Sequence, residues 1–489
     1  MAISDFTSKV RGCWLGKNIG GTLGAPFEGQ QEFQDVSFYT QENLNGNPEP
    51  NDDLDLQLIW LTLAEYYGIY NLTPRLFGEY WINAVTGPWG EYAVCRWNCK
   101  NGFFPPLSGA VNNDQWKWSN GAWIRSELWA CLFPGDPDTA IDFAWRDASC
   151  DHTGEGIYAE MFTAALESAA FVENDLRKLI DIAKSKIPPD SRIRRSVEFV
   201  CQCFDNGDDW RTAREKIMEY NKDLGWFQAP SNLAFTVIGL LYGRGDFGAA
   251  VCIANNCGDD TDCTAATAGA VMGILLGAEN IPEKWISPIG DNIVTKSVNH
   301  FNLPVPSPKT VTELTRRVVF LQNQTAVNYP HEVSEDLCST AAAEEIWKRS
   351  SYELKYDITS GTVGVEYLDG PELVPGKVCR FMLKLHSPVM SMPEFRFRWL
   401  LPDGWSSAKK DVRVSGCLYC TSEVESEFVP PEDLQDGMVW IPLEVTVDDR
   451  GYPELINVPF CKKGTVNYPR FTPNSDHKVR KMIIDRTAK

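Results

Sequence analysis

The sequence has no long apolar run, no apolar signal-peptide core and no surplus of positive charge, and each absence excludes a class of protein. No stretch approaches the ~20 apolar residues that a membrane-spanning helix requires. The N-terminal segment MAISDFTSKVRGCWLGKNIGG is interrupted too often by polar residues to resemble a secretory signal. With 46 Lys and Arg against 66 Asp and Glu, the net charge is -20. We therefore expect neither a nucleic acid nor an anionic membrane as a partner.

The cysteine content also excludes a secreted disulfide framework. Fifteen cysteines are present, which is an odd number in a long chain. Cys131 and Cys252 lie inside apolar runs, and Cys201 and Cys203 form a close pair. This distribution is typical of reduced, buried thiols, so we expect a cytoplasmic protein.

Two patterns of hydrophobicity divide the chain. Up to about residue 300, apolar residues follow helical spacing, as in DLQLIWLTLAEYYGIY and TAATAGAVMGILLGA, which predicts an all-α bundle. Beyond about residue 350 they alternate with polar residues, as in CRFMLKLH and FRFRW, which predicts a smaller β-sandwich-like domain. The segment FNLPVPSPKTV between them has the composition of an extended linker. The predicted division is an α domain over 1–300, a linker with a short helix over 301–349, and a β domain over 350–489.

Two of the predicted helices begin with clustered carboxylates. Asp52 and Asp53 follow Asn51 at one start, and Asp260 and Asp262 lie at the other. For either segment alone, capping is the commoner explanation, since acidic side chains favour the positive end of a helix dipole. If both starts face one cavity, the carboxylates repel one another, and a hard cation such as Mg²⁺ or Mn²⁺ relieves the repulsion. Spacing alone leaves the two explanations open.

Five segments resemble the ADP-ribosylglycohydrolase family, which includes the dinitrogenase-reductase-activating glycohydrolases. They occur in the family's order between about residues 8 and 300, and are GGTLGAPFEG, NDD, SNGAWIRS, DASCDHTGEG and GDDTDC. The resemblance implies an all-α catalytic domain, in agreement with the periodicity. It also implies a glycoside hydrolase that uses one or two Mg²⁺ or Mn²⁺ ions.

The same resemblance implies roles for individual residues. Glu28 falls on the position of the family's active-site glutamate and is expected to act in catalysis together with Asp260. The expected cation ligands are Asn51, Asp52, Asp53, Asp260, Asp262 and Cys263. The expected substrate contacts are Ser119, Asn120, Gly121 and His152.

Three departures from the family pattern bear on the cation site. Asn51 replaces a threonine, and its amide oxygen can still ligate a hard cation. Cys263 replaces a hydroxyl-bearing ligand, and a thiol is a poor partner for Mg²⁺. One of the two cation positions is therefore expected to be weaker, to use water instead, or to be lost. Gly21 replaces the family's opening aspartate.

Several alternatives stay open at this point. The chain is a glycosidase for the C1 bond of an ADP-ribosyl or related ribosyl group, a glycosidase for a different carbohydrate, or a binding protein without turnover. The substrate is a small-molecule or protein-linked glycoside in each case. A zinc site made from Cys257, Cys263 and His152 is less favoured, because carboxylates predominate among the candidate ligands. The Trp-rich segment 87–118 is either core or a wall of the pocket. The β domain covers the cleft, binds carbohydrate or forms a homo-oligomer, and its fold does not decide which.

Overall fold

A computed structural model describes residues 5–328, 336–418, 420–448 and 450–465 and divides the chain into two compact units. The first unit combines Met1–Ala93 with Gln115–Arg349, and the second combines Val94–Asp114 with Ser350–Lys489, for the residues described. Helices build the first unit and strands dominate the second. The predicted helical bundle followed by a sandwich-like β domain is confirmed.

The described residues form seventeen α-helices. Their bounds are α1 Phe6–Gly24, α2 Asp52–Tyr67, α3 Pro74–Asn83, α4 Gly90–Lys100, α5 Leu107–Ala110, α6 Glu127–Leu132, α7 Pro137–Ala148, α8 Glu155–Ala170, α9 Leu176–Ser185, α10 Arg192–Asp205, α11 Trp210–Tyr220, α12 Ala229–Gly243, α13 Phe247–Asn256, α14 Thr261–Leu276, α15 Glu283–Ile286, α16 Val311–Asn328 and α17 Ala341–Trp347. Helices α2, α8, α12 and α14 are buried on nearly every side. This burial follows from sequences that are apolar all round.

Helices α1 and α14 run antiparallel and touch through their backbones. Gly12 lies against Gly273 and Gly16 against Gly269, so a Cβ at any of the four would overlap a carbonyl oxygen of the other helix. The contact continues to Gly24, which lies against the first residues of α14. Small residues every four positions make this approach possible, because they form one stripe along each helix. The stripe brings the end of α1 next to the acidic start of α14.

The described residues of the second unit contain ten strands, which form two five-stranded sheets. Their bounds are β1 Glu353–Ile358, β2 Gly361–Tyr367, β3 Glu372–Leu373, β4 Cys379–His386, β5 Glu394–Trp399, β6 Ser406–Lys409, β7 Asp411–Ser415, β8 Ser422–Val429, β9 Met438–Val447 and β10 Glu454–Lys462. The orders are β1-β2-β4-β8-β6 and β3-β10-β9-β5-β7, with all pairs antiparallel except β3 with β10. One core joins the two sheets; Phe381 of β4 and Phe460 of β10, for example, have ring centroids 5.5 Å apart.

The Trp-rich segment contributes to the core of the β unit. Phe103, Leu107 and Val111 are buried among the side chains of both sheets. The prediction of a domain over 1–300 included these residues, whereas the structure groups residues 94–114 with the strands. The reason is the hydrophobic effect. The aromatic and aliphatic side chains of this segment are stabilised by burial in the core of the β unit.

Residues 301–349 also differ from the predicted linker. Helices α16 and α17 occupy much of this range, and both belong to the helical unit. Val311, Leu314 and Val318 are buried because they recur at helical spacing on one face of α16. The helical spacing of the apolar residues in VTELTRRVVF therefore predicts this segment better than the linker-like prolines that precede it.

Most of the cysteines are free and buried, as predicted, and there are two exceptions. Thirteen are free, and all but Cys338 are buried. Cys417 and Cys420 form a disulfide in the β unit and so differ from the reduced thiols that the distribution of cysteines predicts. Among the described residues, no helix combines the length and the apolar character needed to cross a bilayer.

Substituting Gly16 by alanine tests the α1–α14 contact. The new Cβ would collide with the backbone of Gly269, which cannot move without displacing α14. We expect the free energy of unfolding to fall by about 1–3 kcal/mol, as in other overpacked cores. Thermal unfolding followed by circular dichroism measures the change. Gly451→Ala is the control, since a Cβ there meets no atom within 4 Å, and an equal loss in both variants would contradict the assignment.

Candidate functional site

The end of α1 and the start of α14 are joined by a short antiparallel bridge. The amide of Gly29 donates to the carbonyl of Asp259 at 2.8 Å, and the amide of Asp259 donates to the carbonyl of Gln30 at 2.7 Å. Asp259 adopts a φ of 68°, which turns the chain sharply before α14 begins. Glu28 and Asp260, the two predicted catalytic residues, each lie beside this bridge.

The start of α2 supplies the opposite side of the site. Asn51 is the N-cap, and its side-chain oxygen accepts a hydrogen bond from the amide of Asp53 at 2.9 Å. Asp53 is 1% exposed, whereas the Asp52 side chain remains partly open to solvent. Cys263 Sγ lies 3.5 Å from Asp53 Oδ1. The two acidic helix starts therefore meet, although they are 210 residues apart in sequence.

Two groups of side chains have the spacing of a metal site within the described residues. Asp53, Asp262 and Cys263 form one group, and Glu28, Asp260 and Asp262 form the other. In each group the potential ligand atoms lie within 4.8 Å of one another. Asp262 belongs to both, so the groups are adjacent. A divalent cation suits either position, because carboxylate oxygens are its usual ligands.

The pKa values of these carboxyl groups are raised, because the groups are buried and lie close to one another. Burial raises the pKa of Asp53, Asp260 and Asp262 above the ordinary value for aspartate, and repulsion from neighbouring carboxylates adds to the effect for Asp53 and Asp260. The charge of Asp262 raises the pKa of Glu28 to about 8, with partial burial as the second cause. Glu28 as a residue is exposed, but its carboxyl group points among these acids. A cation would relieve this repulsion.

Two buried carboxylate oxygens in the cluster lack a hydrogen bond. One is Asp53 Oδ2, which has an ion pair with Lys17 at 3.5 Å. The other, Asp262 Oδ1, has no hydrogen-bond partner, although the residue is only 4% exposed. A buried carboxylate oxygen without a donor is destabilising unless a cation or a donor satisfies it. This observation shows that the residues present fit a bound cation.

Two lysines, neither of which we singled out from sequence, partly neutralise the acids. Lys17 is fully enclosed, with its Nζ 2.7 Å from Glu127 Oε1 and 3.5 Å from Asp53 Oδ2. Lys296 Nζ lies 2.9 Å from Asp52 Oδ1 at the open side. Although burial opposes it, the nearby carboxylates raise the pKa of both lysines, so both are charged. Lys17 sits inside a helical apolar pattern, which is why its sequence context gave no signal.

Asp55 holds the segment that carries Lys296. Its Oδ2 accepts hydrogen bonds from the amides of Lys296 at 2.8 Å and Ser297 at 2.6 Å. Burial raises the pKa of Asp55 to about 7, while these two hydrogen bonds lower it. Asp55 is thus a positioning residue and belongs to neither candidate metal group.

The predicted substrate loop lies beside the same cluster. Asn120 donates from Nδ2 to Asp260 Oδ2 at 2.7 Å, and its Oδ1 accepts from the Trp123 indole at 3.0 Å. Behind it, Arg125 is bonded to the carbonyl of Gly121 and to the carboxylates of Asp147 and Asp151. A buried guanidinium with two carboxylates therefore fixes the loop from inside.

Ser119 and His152 connect this loop to Asp151. Ser119 Oγ donates to the carbonyl of Trp116 at 2.6 Å and lies 3.1 Å from His152 Nε2. His152 Nδ1 lies 2.8 Å from Asp151 Oδ1. The Ser119 amide is also occupied, since it donates to the Trp116 carbonyl at 3.0 Å. His152 has no exposed surface, so the structure gives it a positioning contact, and its direct contact with a ligand stays a prediction.

Two of the departures noted in the sequence are structurally linked. The Asn51 amide nitrogen occupies the space that a side chain at position 21 would need, and a Cβ on Gly21 would overlap it. Because Asn51 is also an N-cap, its oxygen already accepts one hydrogen bond. Its role as a cation ligand stays a prediction. The zinc alternative receives no support, since neither candidate group contains Cys257 or His152.

An aromatic pair that we did not predict flanks the bridge. Trp226 is 50% exposed and its ring centroid lies 4.7 Å from that of Phe227. The amide of Phe227 donates to both carboxylate oxygens of Asp259, at 3.1 and 3.2 Å. Both rings approach Gly29, next to Glu28. Trp89, in the Trp-rich segment 87–118, has its ring centroid 5.8 Å from Lys296 Nζ, at the open side of the cluster.

Comparisons with known proteins were made for the whole chain. Residues 2–319 match the family model described as ADP-ribosylglycohydrolase. One solved structure, described as "ADP-ribosylglycohydrolase-related protein complex", is 18% identical over 66% of this chain and 99% of that chain, with a TM-score of 0.44. The search of curated proteins found no match.

Asp151→Asn tests the buried support of the loop. The substitution preserves size but leaves Arg125 with one carboxylate partner in place of two. We expect the free energy of unfolding to fall by about 3 kcal/mol, because the buried Arg125 loses one of its two charged partners. Denaturant unfolding followed by circular dichroism measures the change. Asp205→Asn, which removes an exposed partner of Arg177, is expected to cost less than about 1 kcal/mol.

The same variant has a pH dependence of known sign. Although burial opposes ionisation, the Arg125 guanidinium and His152 lower the pKa of Asp151 to about 2 from an ordinary value of 3.8. A lowered folded-state pKa gives stability that is present above about pH 4 and is lost as the pH falls towards 2. The difference in unfolding free energy between wild type and D151N should therefore narrow over that range. A constant difference would contradict the role of the charge.

Proposed function

The chain belongs to the ADP-ribosylglycohydrolase family, and from this premise we propose that it is a cation-dependent glycoside hydrolase. Its substrate is an ADP-ribosyl or related ribosyl group, carried by a protein or a small molecule, and the bond cleaved is the one at C1 of the ribose. Mg²⁺ or Mn²⁺ is the cation at the oxygen-only position formed by Glu28, Asp260 and Asp262.

The observation that carries this proposal is the meeting of the two acidic helix starts. Capping alone explains an acidic residue at one helix start, but it does not explain two starts that share one enclosed space. The unbonded, buried Asp262 Oδ1 adds a specific need for a positive group. Bound cations supply charge that holds sugar hydroxyls and polarises water.

The chain's own residues divide the remaining work. Glu28 stands at the exposed rim, where its carboxylate can contact the cation and accept a proton from an incoming water. Asn120 fixes the orientation of Asp260, and Lys17 does the same for Asp53 from beneath. These contacts keep the carboxylates in place before substrate arrives.

The rim of the site offers contacts for the rest of the substrate. Trp226 presents a half-exposed ring beside Gly29, and such a ring can stack against a sugar or a base. Lys296 carries a positive charge at the open side, where it can contact a phosphate. Both features suit a substrate larger than ribose alone.

Release of ADP-ribose tests the function directly. Purified protein is incubated with mono-ADP-ribosylated protein, with simple ribosides and with other glycosides, each with Mn²⁺, with Mg²⁺ or with a chelator. We expect cation-dependent release of ADP-ribose. Turnover confined to other glycosides would replace the substrate class, and tight binding of ADP-ribose without turnover with any cation would contradict an enzyme.

Asp262→Asn removes the residue that belongs to both candidate cation groups. We expect activity to fall by at least ~10³-fold, since both positions lose a charged ligand. The stabilisation that Mn²⁺ gives in thermal unfolding should fall as well. Asp246→Asn is the control, because Asp246 is an acidic residue at the start of another helix, α13, and lies outside both groups. Full activity in D262N would contradict the site.

Lys296→Met tests the electrostatic balance at the open side. The change removes the positive charge beside Asp52, so we expect Mn²⁺ to bind roughly tenfold more tightly, as measured by titration calorimetry. Lys222→Met, which removes an exposed partner of Glu219, should leave the affinity unchanged. Weaker cation binding in K296M would show that the lysine organises the site and does not compete with the cation.

A further inference from the structure

The two candidate cation positions differ in chemistry. Glu28, Asp260 and Asp262 offer oxygen atoms alone, whereas Asp53, Asp262 and Cys263 offer two carboxylates and a sulfur. The positions also differ in depth. Asp53, Asp262 and Cys263 are 1%, 4% and 6% exposed, whereas Glu28 lies at the exposed rim.

The buried group is held in place from two directions. Lys17 lies 3.5 Å from Asp53 Oδ2, so one oxygen of this carboxylate faces the lysine while Oδ1 faces Cys263 at 3.5 Å. Cys263 lies in the first turn of α14, where burial and the neighbouring acids raise the pKa of its thiol, so that a thiolate at this position needs a bound cation beside it. Asp262 adds a buried oxygen, Oδ1, that has no hydrogen-bond partner.

We propose that Asp53, Asp262 and Cys263 form a thiophilic cation position that prefers Zn²⁺ to Mg²⁺, next to a hard position at Glu28, Asp260 and Asp262. The inference rests on the proposed function in one respect, namely that the site binds cations. A thiolate is a soft ligand and selects zinc-like ions, whereas carboxylates alone suit Mg²⁺ and Mn²⁺. Zinc readily combines cysteine sulfur with carboxylate oxygen. The Cys263 thiol releases its proton to solvent as the ion binds.

This assignment reverses the expectation drawn from the sequence. A cysteine in place of a hydroxyl weakens a magnesium site, but the same change strengthens a site for a softer ion. Cys263 is buried between two acids, and its thiol donates a hydrogen bond to Asp53 Oδ1 at 3.5 Å. When an ion binds, a bond from the thiolate to the ion would replace this hydrogen bond. The site is therefore asymmetric, with one soft and one hard position.

Cobalt is the probe, because Co²⁺ bound to a thiolate gives a charge-transfer band in the near ultraviolet. The protein is freed of metal with a chelator, reduced mildly, and titrated with Co²⁺ while its absorption is recorded. We expect the band in wild type and its loss in Cys263→Ser, which exchanges sulfur for oxygen at nearly the same size. Glu28→Gln is the matched control, since Glu28 belongs to the hard position alone, and it should retain the band.

Competition between ions gives the second measurement. We expect C263S to lower the preference for Zn²⁺ over Mn²⁺ by at least ~10-fold, measured by metal analysis after equilibrium dialysis. Cys263→Ala is a second variant in case C263S does not fold, and circular dichroism reports folding for both. Mn²⁺ binding and hydrolysis without any charge-transfer band would overturn this inference and leave the proposed function intact. A band that persists in C263S would also overturn it, since another thiolate would then be the ligand. Failure of every divalent ion to bind would end both proposals.

Discussion

The backbone contact between α1 and α14 is the constraint on which the site depends. Because glycines line both helices, the two backbones approach to a distance that no larger residue permits. The end of α1 then falls beside the start of α14, and the Gly29–Asp259 and Asp259–Gln30 hydrogen bonds fix the connection. Glu28 and Asp260 reach one another only because the helices lie this close.

Buried, positively charged side chains make the acidic cluster compatible with a folded core. Lys17 beneath Asp53 and Arg125 beneath the 119–121 loop are both fully enclosed, and each is paired with two carboxylates. Neither contacts solvent, so their contribution is to hold acidic groups and loop carbonyls in fixed positions. The upper part of the cluster, where Lys296 meets Asp52, remains partly open. The acids are thus held rigidly on their buried side and are accessible on their open side, an arrangement that suits the binding of a ligand.

The departures from the family pattern are best understood as linked contacts. Asn51 and Gly21 share one space, so the change at one position is compatible with the change at the other. Cys263 lies between the carboxylates of Asp53 and Asp260, so its sulfur remains part of the cluster. A comparison of residue types alone would count three losses. The structure shows that two of the changes are coupled and that the third places a cysteine beside the acids of the cluster; the ligand role of this cysteine is our proposal.

Local sequence patterns determined the fold class, the buried helices and the alternating strands, because these depend on the spacing of apolar residues within a few turns or pleats. The resemblance to the family further indicated Glu28, Asp53 and Asp262. Sequence patterns did not reveal Lys17, Lys296, Asp55 or the Trp226–Phe227 pair, because their roles arise from neighbours far away in the chain. They also assigned residues 94–114 to the wrong core, since apolar spacing does not say which core a segment joins. The meeting of Asp53 with Cys263 across 210 residues was decided by tertiary structure alone, through two helices close enough to touch along their glycines.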